Sequence, residues 1–270
     1  MPVPSGPAAL PEPCYVFGDS HLGFAPREVE ANLLAYLRYL RTHAGSVVIN
    51  GDLFEFWFEW RSVVPRSSVR VLAALADLAD AGVPVLMIAG NHDCWGGDVL
   101  RDDIGVDFRF GPWTGPLAGW ATRIEHGDGL RRTEDRGYRA LRRLVLRNPV
   151  AVRAFRWVHP DLAIRLASAS STTSRTYVPR DGGRGLRAIA AGQLAADPTL
   201  ELLLLGHSHV PALERLSARG VYGNAGSWLD APTFLRVTGG RVVLRHWLGS
   251  SEGPDLDAID RLTQEPGSQA

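Results

Sequence analysis

Ser46-Val-Val-Ile-Asn-Gly-Asp52 decides how this chain is read. Its β-branched run, closed by a glycine and a carboxylate, marks a short buried strand that ends in a tight turn. Working outward finds the same design on either side. Upstream, Cys14–Gly18 (CYVFG) is a short apolar run that leads into Asp19 and His21. Downstream, Pro84–Ala89 (PVLMIA) leads into Gly90-Asn91-His92-Asp93. Two helical patterns lie between these runs. Glu28–His43 sets Val29, Leu33, Leu34, Leu37 and Leu40 at helical spacing, and Ser67–Ala81 is an Ala/Leu-rich stretch that Gly82 stops. The βαβαβ alternation predicts a layered α/β fold with right-handed crossovers.

Farther along, Trp120–Glu125 and Glu201–Leu205 read as further strands. Residues 233–247 alternate apolar and polar around Gly239-Gly240, as a hairpin does. Between these strands, residues 131–191 are rich in Arg, Ala and Leu with almost no strand signal, which predicts a helical insertion. Residues 1–13, with five prolines, and residues 249–270 have loop composition. Both are expected to be flexible, leaving 14–248 as one folded domain. No repeat occurs at a fixed period.

At 270 residues, 45% hydrophobic and 21% charged, the chain is an ordinary globular sequence long enough to bury a core without disulfides. All 29 basic residues are Arg, and 29 acids balance them, which excludes a polybasic protein overall. The insertion is not neutral: residues 131–187 hold fourteen Arg against four acids. Cys14 and Cys94 fit no metal spacing and read as free thiols of a reducing compartment. The start of the chain carries no apolar signal segment, and no apolar run approaches the roughly 20 residues of a membrane span. A cytoplasmic protein is expected.

Five polar clusters each follow a strand: Asp19-x-His21, Gly51-Asp52, Gly90-Asn91-His92-Asp93, His126-Gly127-Asp128 and Gly206-His207-Ser208-His209. The carboxyl ends of strands form the ligand crevice in open α/β sheets. Five of the eight histidines lie in these clusters. Taken singly, each has a bland reading as a turn, a cap or a satisfied buried histidine. As an ordered set they point to a metal site. Asp, Asn and neutral His without thiolate suit Mn, Fe, Zn or Co better than Cu(I) or an iron–sulfur cluster.

The order D-x-H, G-D, G-N-H-D, H-G-D, G-H-x-H resembles the signature of the calcineurin-like metallophosphoesterases, over Phe17 to about Trp247. That resemblance implies a four-layer α/β/β/α sandwich with two divalent cations, Mn2+ first and Fe, Zn or Co as alternatives. Asp19, His21 and His209 would hold one cation. Asn91, His126 and His207 would hold the other, and Asp52 would bridge them. Two cations about 3.5–4 Å apart clamp the attacking and leaving oxygens at phosphorus and activate water, so no Ser or Cys nucleophile is needed. His92 resembles the family's catalytic histidine, acting on the phosphoryl or the leaving oxygen. Asp93 is expected to orient its ring.

Two stretches, Gly51–Trp57 (GDLFEFW) and His126–Tyr138 (HGDGLRRTEDRGY), look like a narrower branch, the UDP-2,3-diacylglucosamine diphosphatases. Those bacterial enzymes split a pyrophosphate in lipid A synthesis, release UMP and a lipid monophosphate, and carry a helical cap after the H-G-D block. Glu134, Asp135, Tyr138 and Arg142 fall on the branch pattern T-[DE]-D-x-x-Y-x-x-x-R and are expected at the substrate. The best-known members read G-N-R-D where this chain has His92, which returns the site to the general phosphoesterase form.

A phosphorylated glycolipid or small molecule is therefore the expected partner, with no nucleic acid. The alternatives are a nucleotide, a cyclic nucleotide or another phosphodiester; a nuclease with the basic insertion as its track; and a scaffold that has lost turnover, which has no physical need of a complete ligand set. An Arg-lined lid suits a pyrophosphate. The insertion's apolar residues, Leu144, Val145, Val150, Val152, Phe155, Trp157, Val158, Leu162 and Ile164, would form a core of their own, line an acyl groove or meet the inner-membrane surface. The aromatic run Phe54, Phe56, Trp57, Phe58 and Trp60 is expected to pack beneath the metal loop. Asn224–Trp228 resembles a closing loop near the fifth cluster.

Overall fold

A computed structural model describes residues 9–131, 133–165 and 181–262. Its first four strands are β1 (Cys14–Phe17), β2 (Ser46–Asn50), β3 (Val85–Ile88) and β4 (Asp107–Arg109), hydrogen-bonded side by side and parallel. Because side chains alternate along a strand, Tyr15, Phe17, Val47, Ile49, Val85 and Met87 share one face, and Val16, Val48, Leu86 and Ile88 the other. Both sets are buried, so both faces must be covered.

Helices α1 (Arg27–His43) and α2 (Val69–Asp80) cover the first face with Leu33, Leu37, Leu40, Leu72 and Leu75. Acids in the first turn of α1 and bases in its last suit the helix dipole. A second sheet covers the other face. It contains β5 (Trp113–Leu117), β6 (Trp120–Ile124), β7 (Leu202–Leu204), β8 (Ala212–Arg215) and β9 (Val221–Asn224), in the order β5-β6-β7-β9-β8. Trp113, Trp120, Ile124, Leu202 and Leu204 fill the space between the sheets. The insertion contributes α3 (Arg136–Leu141), a π-helical turn at Arg142–Leu146, α4 (Pro149–Phe155), a helical stretch at 160–165 and α5 (Arg184–Ala196). From α5, Leu186, Ala190 and Leu194 pack on Leu203, Leu205 and Tyr222 at the outer face of the second sheet. Helix, sheet, sheet and helix follow one another, which is the four-layer sandwich.

The expected hairpin is β10 (Thr233–Val237) and β11 (Arg241–Trp247), and β10 pairs antiparallel with β1. The sequence reading does not contain β4, β5, β8 or β9. It also needs correcting at both ends. Residues 252–260 are not a flexible tail but β12 (Glu252–Asp260), antiparallel to β11 at the edge of the large sheet. Gly253-Pro254 disguises the strand, yet an edge tolerates proline because one side of its backbone needs no partner. Within the first segment, Leu10 is buried and exchanges backbone hydrogen bonds with Pro116 and Ala118, and the Pro11 and Pro13 carbonyls accept from Ser46 and Gly45, so residues 10–13 are tied to the fold although Pro11 and Glu12 are exposed. Residues 1–8 and 263–270 of the expected flexible ends, and 166–180 of the insertion, lie outside the described residues.

The cap is pinned to the sandwich by the aromatic run. The Trp60 indole donates to Val158 O at 3.1 Å and the Trp95 indole to Leu146 O at 2.7 Å. Phe58 and Trp60 pack with Phe155 and Ala163 of the insertion, while Phe54 stacks on Trp57 beneath the second cluster. At the start of α4, Pro149 sits at the first position and Asn148 Oδ1 accepts from the Val150 amide at 2.9 Å, an ordinary N-cap. Among the described residues, no helix is long and apolar enough to cross a membrane.

Candidate metal centre

The strands β1, β2 and β3 end beside β6 and β7 of the other sheet, and all five clusters lie on the loops that leave those ends. These loops are stitched together by backbone hydrogen bonds, Asp19 N–H to Gly51 O at 3.0 Å and Gly206 N–H to His126 O at 2.8 Å. The Asn224–Trp228 segment closes the floor. Asn224 Nδ2 donates to Gly206 O and Ser208 Oγ, and Ser227 Oγ to Asp19 O.

Turning side chains inward from so crowded an edge requires unusual backbone. Asp19, His21, Asp52, His207 and His209 all have left-handed φ, at 50°, 46°, 51°, 64° and 58°. Among the described non-glycine residues, only Ala118 joins them there. Such conformations cost of order 1–3 kcal/mol each and collect at functional sites. Two glycines make the approach possible. A Cβ on Gly51, itself at φ +84°, would lie 2.3 Å from His126 Nδ1, and one on Gly90 would lie 2.1 Å from Asp52 Oδ1.

Three histidines share one arrangement: an acceptor faces Nδ1, which leaves Nε2 aimed inward. His126 Nδ1 donates to Asn50 O at 2.7 Å, His21 Nδ1 donates to Glu55 Oε2 at 2.9 Å, and His209 Nδ1 lies 3.3 Å from Asp230 Oδ2. Fixing the outer nitrogen in this way is how metal-binding imidazoles are oriented. Inside, His126 Nε2 lies 3.1 Å from Asp52 Oδ2 and 4.0 Å from Asp19 Oδ1. His209 Nε2 is 3.4 Å from Asp19 Oδ1 and 3.3 Å from His21 Nε2. Potential ligand atoms therefore converge in three groups, Asp19/His21/His209, Asp52/His126/His207 and His21/Glu55/His92; the first two consist of expected ligands, and in the third Glu55 already accepts from His21. Asn91 Oδ1 is buried without a hydrogen-bond partner among the described residues. A buried orphan carbonyl oxygen beside carboxylates and inward imidazoles fits a hard or borderline divalent cation.

Charge at the centre agrees. Burial opposes ionisation of Asp52, but His126 and His92 outweigh it and hold its carboxyl well below the usual range. Asp19 is likewise lowered, burial being offset by His209 and His126. Burial alone would depress His21, His126 and His209, yet Glu55, Asp52 and Asp19 respectively raise them. Burial and neighbouring His126 push His207 down to about 4, which keeps it neutral, as a metal ligand must be. The carboxylates draw positive charge to this point, which is the charge a divalent cation would supply.

His92 lies beside this centre, its ring 4.8 Å from that of His21. Its backbone N–H donates to Asp52 Oδ1 at 2.9 Å and its Nδ1 donates to Glu55 O at 3.0 Å. Asp93 does not orient that ring, which corrects the expectation. Its carboxylate is turned beneath the loop, where it accepts from the Gly90 and Leu53 amides at 2.7 and 2.8 Å. It staples the second and third clusters together, and burial together with Asp52 pushes it up to about 7. The orienting residue is Glu55, which sequence reasoning missed although an acid three positions after Asp52 was in view; Asp230 gave no signal at all.

The remaining expected residues gather on the H-G-D side. Tyr138 Oη donates to Asp128 Oδ2 at 2.6 Å, and Arg142 Nη1 to the same oxygen at 3.0 Å. Asp135 is buried and paired with Arg131 at 2.9 Å, and Glu134 is exposed. A cleft of about 460 Å3 opens beside His126 and Asp128, with Arg139, Arg142, Arg143 and Arg147 along it.

Comparison with known proteins agrees with this geometry. The model of the family described as calcineurin-like phosphoesterase matches residues 13–211. A UDP-2,3-diacylglucosamine hydrolase of Porphyromonas gingivalis is 39% identical over 165 residues, which is 60% of this chain and 63% of that one, so the match spans less than two thirds of that relative. Proteins of the same name from Nitrosococcus oceani and Yersinia pestis are 26% and 27% identical. They align over 76% and 84% of this chain, and over 82% and 95% of their own lengths.

Proposed function

This chain belongs to the calcineurin-like phosphoesterase family, and from that premise we propose that it cleaves the pyrophosphate of UDP-2,3-diacylglucosamine. The products would be UMP and the lipid monophosphate of bacterial lipid A synthesis. The observation that carries the reading is the convergence of His21, His126 and His209 Nε2 on Asp19 and Asp52, with the orphan Asn91 oxygen, next to an Arg-lined cleft. The shared name of the relatives supports the substrate.

Asp19, His21 and His209 would hold one divalent cation, Asn91, His126 and His207 the other, with Asp52 shared; Mn2+ is the first candidate, then Fe, Zn or Co. When bound, the pair supplies Lewis acidity at the phosphoryl oxygens and an ionised water at neutral pH. His92 spends its Nδ1 hydrogen on Glu55 O, so only its imidazolium offers a donor, Nε2–H, to a phosphoryl or leaving oxygen. Arg142 meets the substrate from the cleft, Tyr138 holds Asp128 in line with it, and Asp135 fixes the start of the cap through Arg131. The cap exposes Leu144, Val150 and Trp157, the last at 90%, and carries Arg153 and Arg156 in the same stretch of sequence, a composition that suits acyl chains and an anionic inner-membrane surface met from the cytoplasm. His92 favours one second reading, a metallophosphodiesterase acting on nucleotides or another diester.

The test is UMP release from UDP-2,3-diacylglucosamine with Mn2+ and with chelator, beside bis-p-nitrophenyl phosphate. Metal-dependent UMP release is expected. Turnover of the diester alone would discard the lipid substrate, and turnover of neither would overturn the hydrolase itself.

A further inference from the structure

The cleft beside His126 has two unlike walls. Arg139, Arg142, Arg143 and Arg147 form one, and Ile88, Phe110 and Pro112 the other. Its two acids are already engaged, Glu125 with Arg123 and Gln193, and Asp128 with Tyr138 and Arg142. Among the described residues, Arg139 and Arg143 have no acidic partner. Arg147 donates to Phe110 O at 2.9 Å and lies 5.7 Å above the Phe110 ring. Partial burial and the neighbouring Arg142 lower its pKa, and an anion would relieve the repulsion between the two. None of these arginines is needed to hold a cation, so the surplus charge faces a ligand. Phe110, 47% exposed although aromatic, offers a flat surface beside it.

We propose that this cleft binds the nucleoside monophosphate half of the substrate, its phosphate against Arg143 and Arg147 and its base against Phe110. The assignment rests on the phosphoanhydride reading and adds where the nucleotide sits. Guanidinium groups match phosphate oxygens in pairs, and a base stacks on any aromatic face. The volume lies within the roughly 300–1,000 Å3 of small-molecule sites. His126 borders the cleft with its own ring buried and turned to Asp52, so the cleft opens on the H-G-D side of the centre.

Calorimetric titration of UMP and of inorganic phosphate into the Mn2+-loaded full chain tests this, using the wild type, Arg143→Ala/Arg147→Ala and Phe110→Ala. These three side chains are exposed, and thermal melts verify that each variant is folded. UMP should bind at least tenfold more tightly than phosphate. The arginine double variant should weaken UMP at least tenfold, and Phe110→Ala should weaken UMP while leaving phosphate where it was. Equal UMP affinity in the double variant, or a Phe110→Ala change shared by UMP and phosphate, would overturn the site. If UMP behaves as expected while UDP-2,3-diacylglucosamine is not hydrolysed, the lipid substrate fails and the nucleotide site stands. If the lipid is hydrolysed and UMP ignores these residues, only the site fails.

Discussion

Glu55 governs two histidines at once. Its carboxylate accepts from His21 and its backbone carbonyl from His92, so it sets the tautomer of a proposed ligand and of the proposed acid. Glu55→Gln keeps the volume and removes the anion. Metal affinity should fall about 10–100-fold in a Mn2+ titration, while the carbonyl contact to His92 survives. His92→Ala should instead reduce turnover by about 10²–10⁴-fold and leave two Mn2+ per chain by elemental analysis. Loss of metal in that variant would make His92 a ligand. The clusters themselves were legible because the motif uses few residue types; Asp19, His21 and His209 converge in one group and Asp52, His126 and His207 in another, with Asn91 on a loop that bonds to Asp52 through His92. What could not be read is the set of contacts behind them. Glu55 meets His21 across 34 residues of chain, and Asp93 turns away from its neighbour to serve two amides.

Elements that carry their own hydrophobic signal were visible, and those defined by their neighbours were not. β2 announces itself with Val47, Val48 and Ile49, whereas β9 (Val-Tyr-Gly-Asn) becomes a strand because β7 and β8 flank it. β12 is the extreme case. It is tied down by Glu252, whose carboxylate accepts from Tyr15 at 2.7 Å, Tyr39 at 3.0 Å and Arg236 at 3.1 Å, and also from Arg245. Burial would raise the pKa of this carboxyl, but the tyrosine hydroxyls and arginines win and lower it. A depressed carboxyl stabilises fully above its unfolded value, and loses that contribution as pH falls through its folded value. Glu252→Ala should therefore destabilise at neutral pH by about 1–3 kcal/mol, and the gap to the wild type should begin to narrow as pH falls below about 4. Urea melts of both proteins at pH 7 and pH 3.5 would measure it; a gap independent of pH would remove the charge from the explanation.

Across the whole molecule the centre works as a rivet. Asp19, Asp52 and Asn91 follow strands of the seven-stranded sheet, and His126, His207 and His209 follow strands of the five-stranded one. Cations held by both would oppose separation of the layers. Mn2+ at a hundredfold excess over its dissociation constant should add about 2.7 kcal/mol and raise the melting temperature, and a chelator should reverse the gain. An unchanged melt would mean that the loops bind no metal. The two-sheet frame was legible only through resemblance, since the first strands predict a layered sheet without saying what covers its second face.

The pairing of β1 with β10 also bears on how the chain leaves the ribosome. β1 belongs in the middle of its sheet, flanked by β2 and by Thr233–Val237. During translation the β10 side of it stays a bare edge until residues 233–237 have been made. His207 and His209 also arrive late, after the entire cap. A metal held by all five clusters would therefore load only after the fifth is made, and a chaperone that shields β1 would protect the nascent protein when it is most exposed to aggregation.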